Sequence, residues 1–181
     1  MHEARPDVDA VAHSHSIYGR AFCTLGRNID IITQDSCAFY NDIALYNSFK
    51  GIVLVADEGI AIAKALGNKK AALLQNHGLL YAKSFISHSY MSHLWHLLTI
   101  YRTCGRTIEE TVFWFTSLEK SCQAQLLADA AAGGRGGETV KIDDEDAAFT
   151  YKSVGSPTAG WFSAKPAFEN MIRIGGESYK D

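Results

Sequence analysis

An α/β fold is predicted by three observations. Short alternating or β-branched apolar runs recur along the chain. Segments with apolar residues at three- and four-residue steps lie between them, and glycine or proline marks the joins. After the turn signal Arg5-Pro6-Asp7, Val8 to His15 alternates, with Val8, Ala10 and Ala12 on one face and Asp9, Val11 and His13 on the other. That period of two predicts a strand. Ile17 to Leu25 predicts a short helix closed by Gly26, and Ile29 to Thr33 is a short β-branched run. The segment from Gly51 to Ala56 (Gly-Ile-Val-Leu-Val-Ala) predicts a second strand. Asp57-Glu58-Gly59 then opens a helix whose apolar spacing runs from Ile60 to Leu66, with Gly67-Asn68 as its stop. Ala71 to Gln75 predicts a strand entering Asn76-His77-Gly78, and Leu79-Leu80-Tyr81 leaves that turn as another.

The longest element is a helix over Thr107 to Ala132. Glu109 and Glu110 lie in its first turn, and Val112, Phe115, Leu118, Cys122, Gln125 and Leu126 form its apolar face. Gly133 to Gly137 ends it and reads as a linker. From 138 to 181 the chain reads as a tail of the same domain. Asp143 to Asp146 begins a short helix, Gly155-Ser156-Pro157 breaks it, and Trp161, Phe162 and Phe168 are expected to pack on the rest. Residues 1–132 thus form the main domain, within which 82–104 is atypical, aromatic and Ser/His-rich.

Composition narrows the function. Of 181 residues 47% are apolar and 20% charged, which suits one globular domain. A net charge of −3 without a Lys/Arg run argues against nucleic acid. No apolar run approaches the roughly 20 residues that span a bilayer, and the polar N-terminus is no secretory signal, so a cytoplasmic protein is expected. Cys23, Cys37, Cys104 and Cys122 show no CxxC spacing and read as reduced thiols. Cys23 and Cys37 are nucleophiles by type, but no basic partner is visible, and burial is the simpler expectation.

The chemistry concentrates in histidine. His13 and His15 lie two apart, and on a strand such residues point to one side. His77 stands at a strand end before Gly78, which allows close backbone approach, and Asn76 is placed to hydrogen-bond a ligand. Three imidazoles with an open position suit zinc or a similar divalent ion. An HxH pair alone is more often two solvated side chains, and a lone His77 more often a structural residue; the combination carries the metal reading. Other candidates are weaker. Asp57-Glu58 fits an acidic first helical turn, Asp143 to Asp146 a solvated charge run, and His88, His93 and His96 an accident of the atypical segment's composition. Gly133 to Gly137 follows a helix, not a strand, and so is no nucleotide loop.

Ala10-Val11-Ala12-His13-Ser14-His15-Ser16, with Arg5-Pro6-Asp7-Val8 before it, resembles the core motif of the class II aldolase/adducin family. Leu73-Leu74-Gln75-Asn76-His77-Gly78 resembles that family's second motif. Gly51 to Gly67 resembles the strand, turn and helix between the two, and Thr107 to Ala130 the helix that follows. Gln34-Asp35-Ser36-Cys37 and Ser121-Cys122-Gln123-Ala124-Gln125 look most like its fungal adducin-like branch.

The resemblance implies a three-layer α/β/α fold around a largely antiparallel central sheet, often assembled as a homotetramer. It implies zinc on His13, His15 and His77, and a carbon–carbon lyase acting on a small hydroxy-carbonyl compound such as a sugar phosphate. The adducin side of the family implies the alternative, a non-catalytic interaction module tied to actin or the cell cortex. The family's phosphate-holding loops and acid/base glutamate precede the first motif, at positions expected upstream of Met1. No catalytic acid/base is therefore assigned in this chain, and its lack is expected to lower turnover on the order of 10²–10⁴. Glu3 reads as a solvated terminal residue. The segment 82–104 has no counterpart in the family pattern and reads as an insertion of the kind a read-through intron leaves.

Overall fold

The computed structural model of the protein describes residues 8–49, 56–84 and 108–175. Most of the strand expected over 51–56, most of the atypical segment with its three histidines, and Glu3 lie outside the described residues. In chain order the elements are β1 (Val8–Ser14), α1 (Ile17–Cys23), α2 (Gln34–Cys37), β2 (Ile43–Tyr46), α3 (Ala56–Leu66), β3 (Ala71–Leu74), β4 (Gly78–Ser84), α4 (Ile108–Gly133), α5 (Asp144–Val154) and α6 (Pro157–Gly175). The short elements β2 and α2 carry no pattern long enough to read in the sequence. α2 is fixed by a capping box, in which Thr33 Oγ1 accepts from the Ser36 amide while Ser36 Oγ accepts from the Thr33 amide.

The four strands form one sheet in the order β1-β4-β3-β2. β4 is antiparallel to both β1 and β3, and β2 runs parallel to β3, so the sheet is largely antiparallel as expected. β3 is Ala-Ala-Leu-Leu and buried on both sides. Its alternation deals side chains to two cores. Ala71 and Leu73 join Leu79, Tyr81, Phe22, Trp114, Leu118 and Cys122 on the face covered by α1 and α4. Ala72 and Leu74 join Leu80, Ala82, Ile62 and Leu66 on the face covered by α3. Three layers result, and each fully buried Leu or Phe contributes roughly 1.5–3 kcal/mol.

Three local expectations are corrected. Val8 does not share a face with Ala12: Val8 and Val11 pack together in the α3-side core, while Ala12 packs on the other. The cause is a register shift between Val8 and Ala10, a bulge that reverses the alternation. On α4 the expected face holds at Leu118, Cys122 and Gln125, with Phe115 and Leu126 packed on the core, but the first turns depart from it. Glu110, Thr111, Trp114, Leu118, Ser121, Cys122 and Gln125 are buried, whereas Val112 is 43% exposed. The large Trp114 ring takes the interior position, and Gln125 can be buried because its amide is satisfied. Gln125 Oε1 accepts from the Asp30 amide at 2.7 Å and Nε2 donates to Asp30 Oδ2 at 2.8 Å. Finally, α6 docks most tightly through small residues, with Trp161 and Phe168 only half-buried. Gly160 and Ala164 are buried, Phe162 is exposed, and a Cβ on Gly160 would lie 2.2 Å from Trp114 Nε1.

The chain beyond α4 is tied back by hydrogen bonds. The stretch 133–137 is a turn in which the Gly134 and Gly137 amides donate to Ala130 and Ala132 carbonyls at 3.0 Å. The Ile142 amide then donates to the Ile31 carbonyl at 2.8 Å. Asp143 caps α5 by accepting from the Asp146 amide, which gives the acidic run its job. Pro157 opens α6.

A buried cation joins this C-terminal part to the sheet. Lys70, 2% exposed, donates Nζ to the Gly155 carbonyl at 2.8 Å, lies 3.4 Å from Asp42 Oδ2, and faces the Trp114 and Tyr151 rings at 4.8 and 5.0 Å. Tyr151 Oη donates to the same carboxylate oxygen at 2.6 Å. Removing one member of such a set leaves a desolvated charge without its partner. Lys70→Ala is therefore expected to lower unfolding free energy by about 3–5 kcal/mol in urea titrations. Lys165→Ala, which breaks only the exposed α6 pair with Glu169, should change it by less than about 0.5 kcal/mol.

Candidate metal centre

The three histidines are brought together by the end of β1 and the turn between β3 and β4. Because β1 and β4 are antiparallel, the C-terminal end of β1 meets the N-terminal end of β4: His13 pairs with Leu80 and Ser14 with Leu79. Gln75-Asn76-His77 reverses the chain in three residues. The His77 amide donates to the Leu74 carbonyl at 3.0 Å, and the Asn76 amide donates to the Cys23 carbonyl at 3.2 Å. Asn76 takes a left-handed φ of 57°, which asparagine tolerates better than most residues. Gly78 closes the turn against β1. A Cβ there would lie 2.5 Å from the Ser14 carbonyl oxygen and 3.5 Å from the His15 ring, so only glycine permits this approach.

The rings of His13 and His15 are 5.2 Å apart between centroids, and each is 4.9 Å from the ring of His77. One ring nitrogen from each can be chosen so that all three lie within 4.8 Å of one another. His13 and His15 are exposed and His77 is half-buried. His13 Nδ1 is 2.8 Å from the Leu79 carbonyl oxygen. A carbonyl can only accept, so Nδ1 is the donor in this contact and Nε2 is the nitrogen left for any other partner. A backbone carbonyl on the far ring nitrogen is the usual orienting partner of a metal-bound histidine. His77 is held below the ordinary histidine range, first by burial and then by the neighbouring rings of His13 and His15, with Glu58 opposing. A lowered value favours the neutral imidazole, the form able to offer a lone pair to a cation. Nitrogen-only donors, an orienting carbonyl and two solvent-facing rings fit a divalent ion with an open coordination position.

The other sequence candidates lie elsewhere in the fold. Asp57 and Glu58 belong to the first turn of α3, where Glu58 is buried but near enough for its charge to act on His77. Cys23, Cys37 and Cys122 are free and buried. Cys23 Sγ donates to the Gly78 carbonyl at 3.3 Å, and burial pushes its thiol up to about 12, so it is no nucleophile near neutral pH.

One residue escaped the sequence reading. Glu119 on α4 accepts from Ser16 Oγ at 2.6 Å, from the Gly19 amide at 2.6 Å and from the Tyr18 amide at 2.9 Å. It therefore caps α1 from the neighbouring helix of the same layer. A polar residue one helical turn from the apolar stripe gave no local sign of a partner about a hundred residues away.

A three-layer α/β/α fold with an HxH strand end and an Asn-His-Gly turn defines a known class of protein. The sequence profile of the class II aldolase and adducin N-terminal domain matches residues 1–93. The decarboxylase NovR of Streptomyces niveus is 40% identical over 172 residues, covering 95% of this chain and 54% of its own. The solved L-fuculose 1-phosphate aldolase of Glaciozyma antarctica PI12 superimposes with a TM-score of 0.73 at 46% identity, over 98% of this chain and 57% of that one. Human gamma-adducin is 26% identical over an alignment 182 positions long that covers 96% of this chain and 22% of the adducin. The chain belongs to the class II aldolase/adducin family. It spans a little over half the length of the decarboxylase and aldolase relatives.

The buried thiols make alkaline pH a check on this layer. Cys23 ionises with more difficulty in the folded chain, so its contribution is intact below the unfolded thiol value and is lost as pH rises towards about 12. Cys122 is raised in the same direction by burial and by Cys23. Stability measured by denaturant at pH 8, 9, 10 and 11 should fall across that series. The fall should be shallower in Cys23→Ala than in the parent.

Proposed function

We propose that the chain carries the metal-binding part of a class II aldolase-type carbon–carbon lyase acting on a small hydroxy-carbonyl compound of the sugar-phosphate kind. The observation that supports this most directly is the convergence of His13, His15 and His77 with the Nε2 of His13 left free by its bond to Leu79. A divalent ion bound there, most naturally zinc, would polarise a substrate carbonyl oxygen and so ease cleavage of the neighbouring carbon–carbon bond. The chain's own residues supply placement. β1 fixes His13, the hydrogen-bonded turn fixes His77, and the two exposed rings leave one side open to substrate. Retro-aldol cleavage and the decarboxylation of a β-keto acid both break the bond between the α and β carbons of a carbonyl that takes up the electron pair as an enolate, so relatives named aldolase and decarboxylase point to one kind of site.

The free, buried cysteines suit a reducing, cytoplasmic setting. No helix among the described residues is long and apolar enough to cross a membrane. Assembly into a homo-oligomer fits the family, and the exposed Phe162, Met171 and Ile174 of α6 offer apolar surface for it. The alternative is an adducin-like interaction module with a cytoskeletal partner, which the similarity to gamma-adducin over 96% of the chain favours. A scaffold has no physical need for three convergent imidazoles, and metal binding separates the two readings.

Metal analysis of the purified chain tests the proposal. The parent should hold about one zinc, manganese, cobalt or iron per chain after dialysis. His13→Ala and His77→Ala should each lose it. A parent without stoichiometric metal, or variants that keep it, would overturn the site. Aldol-cleavage and decarboxylation screens on the metal-loaded protein then separate the chemistries.

A further inference from the structure

The three imidazoles are not held equally well. His13 lies within β1 and is bonded through Nδ1 to Leu79. His77 lies in a turn closed by its own amide. His15 has neither support, because β1 ends at Ser14 and the ladder with β4 stops at the Ser14–Leu79 pair. Its position is set by what anchors the residues after it.

That anchor comes from the helical layer. Ser16 is the N-cap of α1 but makes no side-chain bond to the helix it caps; its hydroxyl donates to Glu119 Oε2 instead. The same oxygen takes the Gly19 amide, and Oε1 takes the Tyr18 amide. Glu119 therefore replaces the missing cap and satisfies two otherwise orphan helix N–H groups. Its own position is firm, since Leu118 and Cys122 on either side are fully buried. Gly19 is pressed between this carboxylate and Leu79. A Cβ at Gly19 would lie 2.8 Å from Glu119 Oε2 and 2.4 Å from Leu79 Cγ, and Leu79 is the residue whose carbonyl orients His13. One carboxylate thus fixes the residue after His15 and braces the residue that orients His13.

We infer that Glu119 is a positioning residue for the His13/His15 pair: a carboxylate strut from α4 that holds the end of β1 so that the His15 imidazole faces those of His13 and His77. This rests on the three-histidine metal reading. Glu119 is not itself a ligand, since the described group of candidate metal-holding side chains contains the three histidines alone.

The test is cobalt(II) titration of the purified full chain, read by the visible d–d band, in the parent, Glu119→Gln, His77→Ala and Gln125→Ala. Glutamine keeps the shape but puts an amide donor in place of one acceptor oxygen, facing the two donors at Oε2 or the one at Oε1. Gln125→Ala is the control: it removes another α4 bond, to Asp30, of comparable structural weight. Glu119→Gln should bind cobalt about tenfold or more weakly, with an altered band, as for other groups that orient metal-bound histidines. Gln125→Ala should bind as the parent does. Ser16→Ala, which removes one bond from the same carboxylate, should shift affinity in the same direction by less, and stands in if Glu119→Gln does not fold. Histidine-ring NMR of the metal-free protein supplies an independent arm, in which the His15 signals should shift or broaden in the Glu119 or Ser16 variant while those of His77 stay. A parent-like cobalt affinity and band in Glu119→Gln, where His77→Ala has lost both, overturns the inference. So do unchanged His15 signals. A parent that takes up no cobalt overturns the metal reading instead, and the ring signals then decide the role of Glu119.

Discussion

The structure turns on the contact between Gly78 and the Ser14 carbonyl. Antiparallel pairing sets β1 beside β4, but the pairing closes fully at this end only because residue 78 has no side chain. The contact fixes which residue of β1 faces which residue of β4. It also fixes the distance between the β1 end and the turn that carries His77. A shift of one residue would turn His13 to the other face of the sheet and break its bond to Leu79. The glycine after His77 and the two-residue spacing of His13 and His15 are thus parts of one geometric condition.

That condition holds because the sheet is clamped from both sides. β3 and β4 send alternate side chains into two separate cores, so neither strand can rotate or slide without exposing apolar surface on one face or the other. The clamp is strongest where the helical layer reaches across. Cys23 at the end of α1 accepts the Asn76 amide through its carbonyl and donates its thiol to the Gly78 carbonyl. The turn bearing His77 is therefore bolted to α1, and α1 is bolted by Glu119 to α4. Burial that lifts the Cys23 thiol out of its reactive range is a by-product of that role.

How much of this the sequence disclosed follows from the range of each interaction. The period-two alternation in Val8 to His15 and the apolar runs on either side of Asn76-His77-Gly78 are local, and so is the helical spacing of α3 and α4. The three histidines were legible because spacing within a strand and a glycine beside a turn are local as well. What was hidden depended on partners far along the chain. The bulge near Val8 arises in pairing with Ser84 and Lys83, and the departure in the first turns of α4 depends on Trp114 meeting Gly160. Phe162 looked like an anchor by size, yet the helix docks through Gly160 and Ala164, because two helices approach closely only where side chains are small. Glu119 is one charged residue among many until the fold brings Ser16, Tyr18 and Gly19 to it.

The distribution of charge separates structure from chemistry. Lys70, Asp42 and Tyr151 form a desolvated set in which the ammonium is shared among a carboxylate, a carbonyl and aromatic faces. Tyr81 likewise points its hydroxyl at the buried Glu110, 3.5 Å away. Groups with their bonding capacity already taken up bind nothing further. They hold α5, α6 and the sheet in register, and their low-dielectric surroundings make each partner costly to remove. At the rim the arrangement is reversed. His13 uses one nitrogen for the protein and keeps the other, and His77 is held below the ordinary histidine range by partial burial beside two more imidazoles. Lone-pair capacity left open at a solvent-facing strand end is here held in place by satisfied polar groups beneath it.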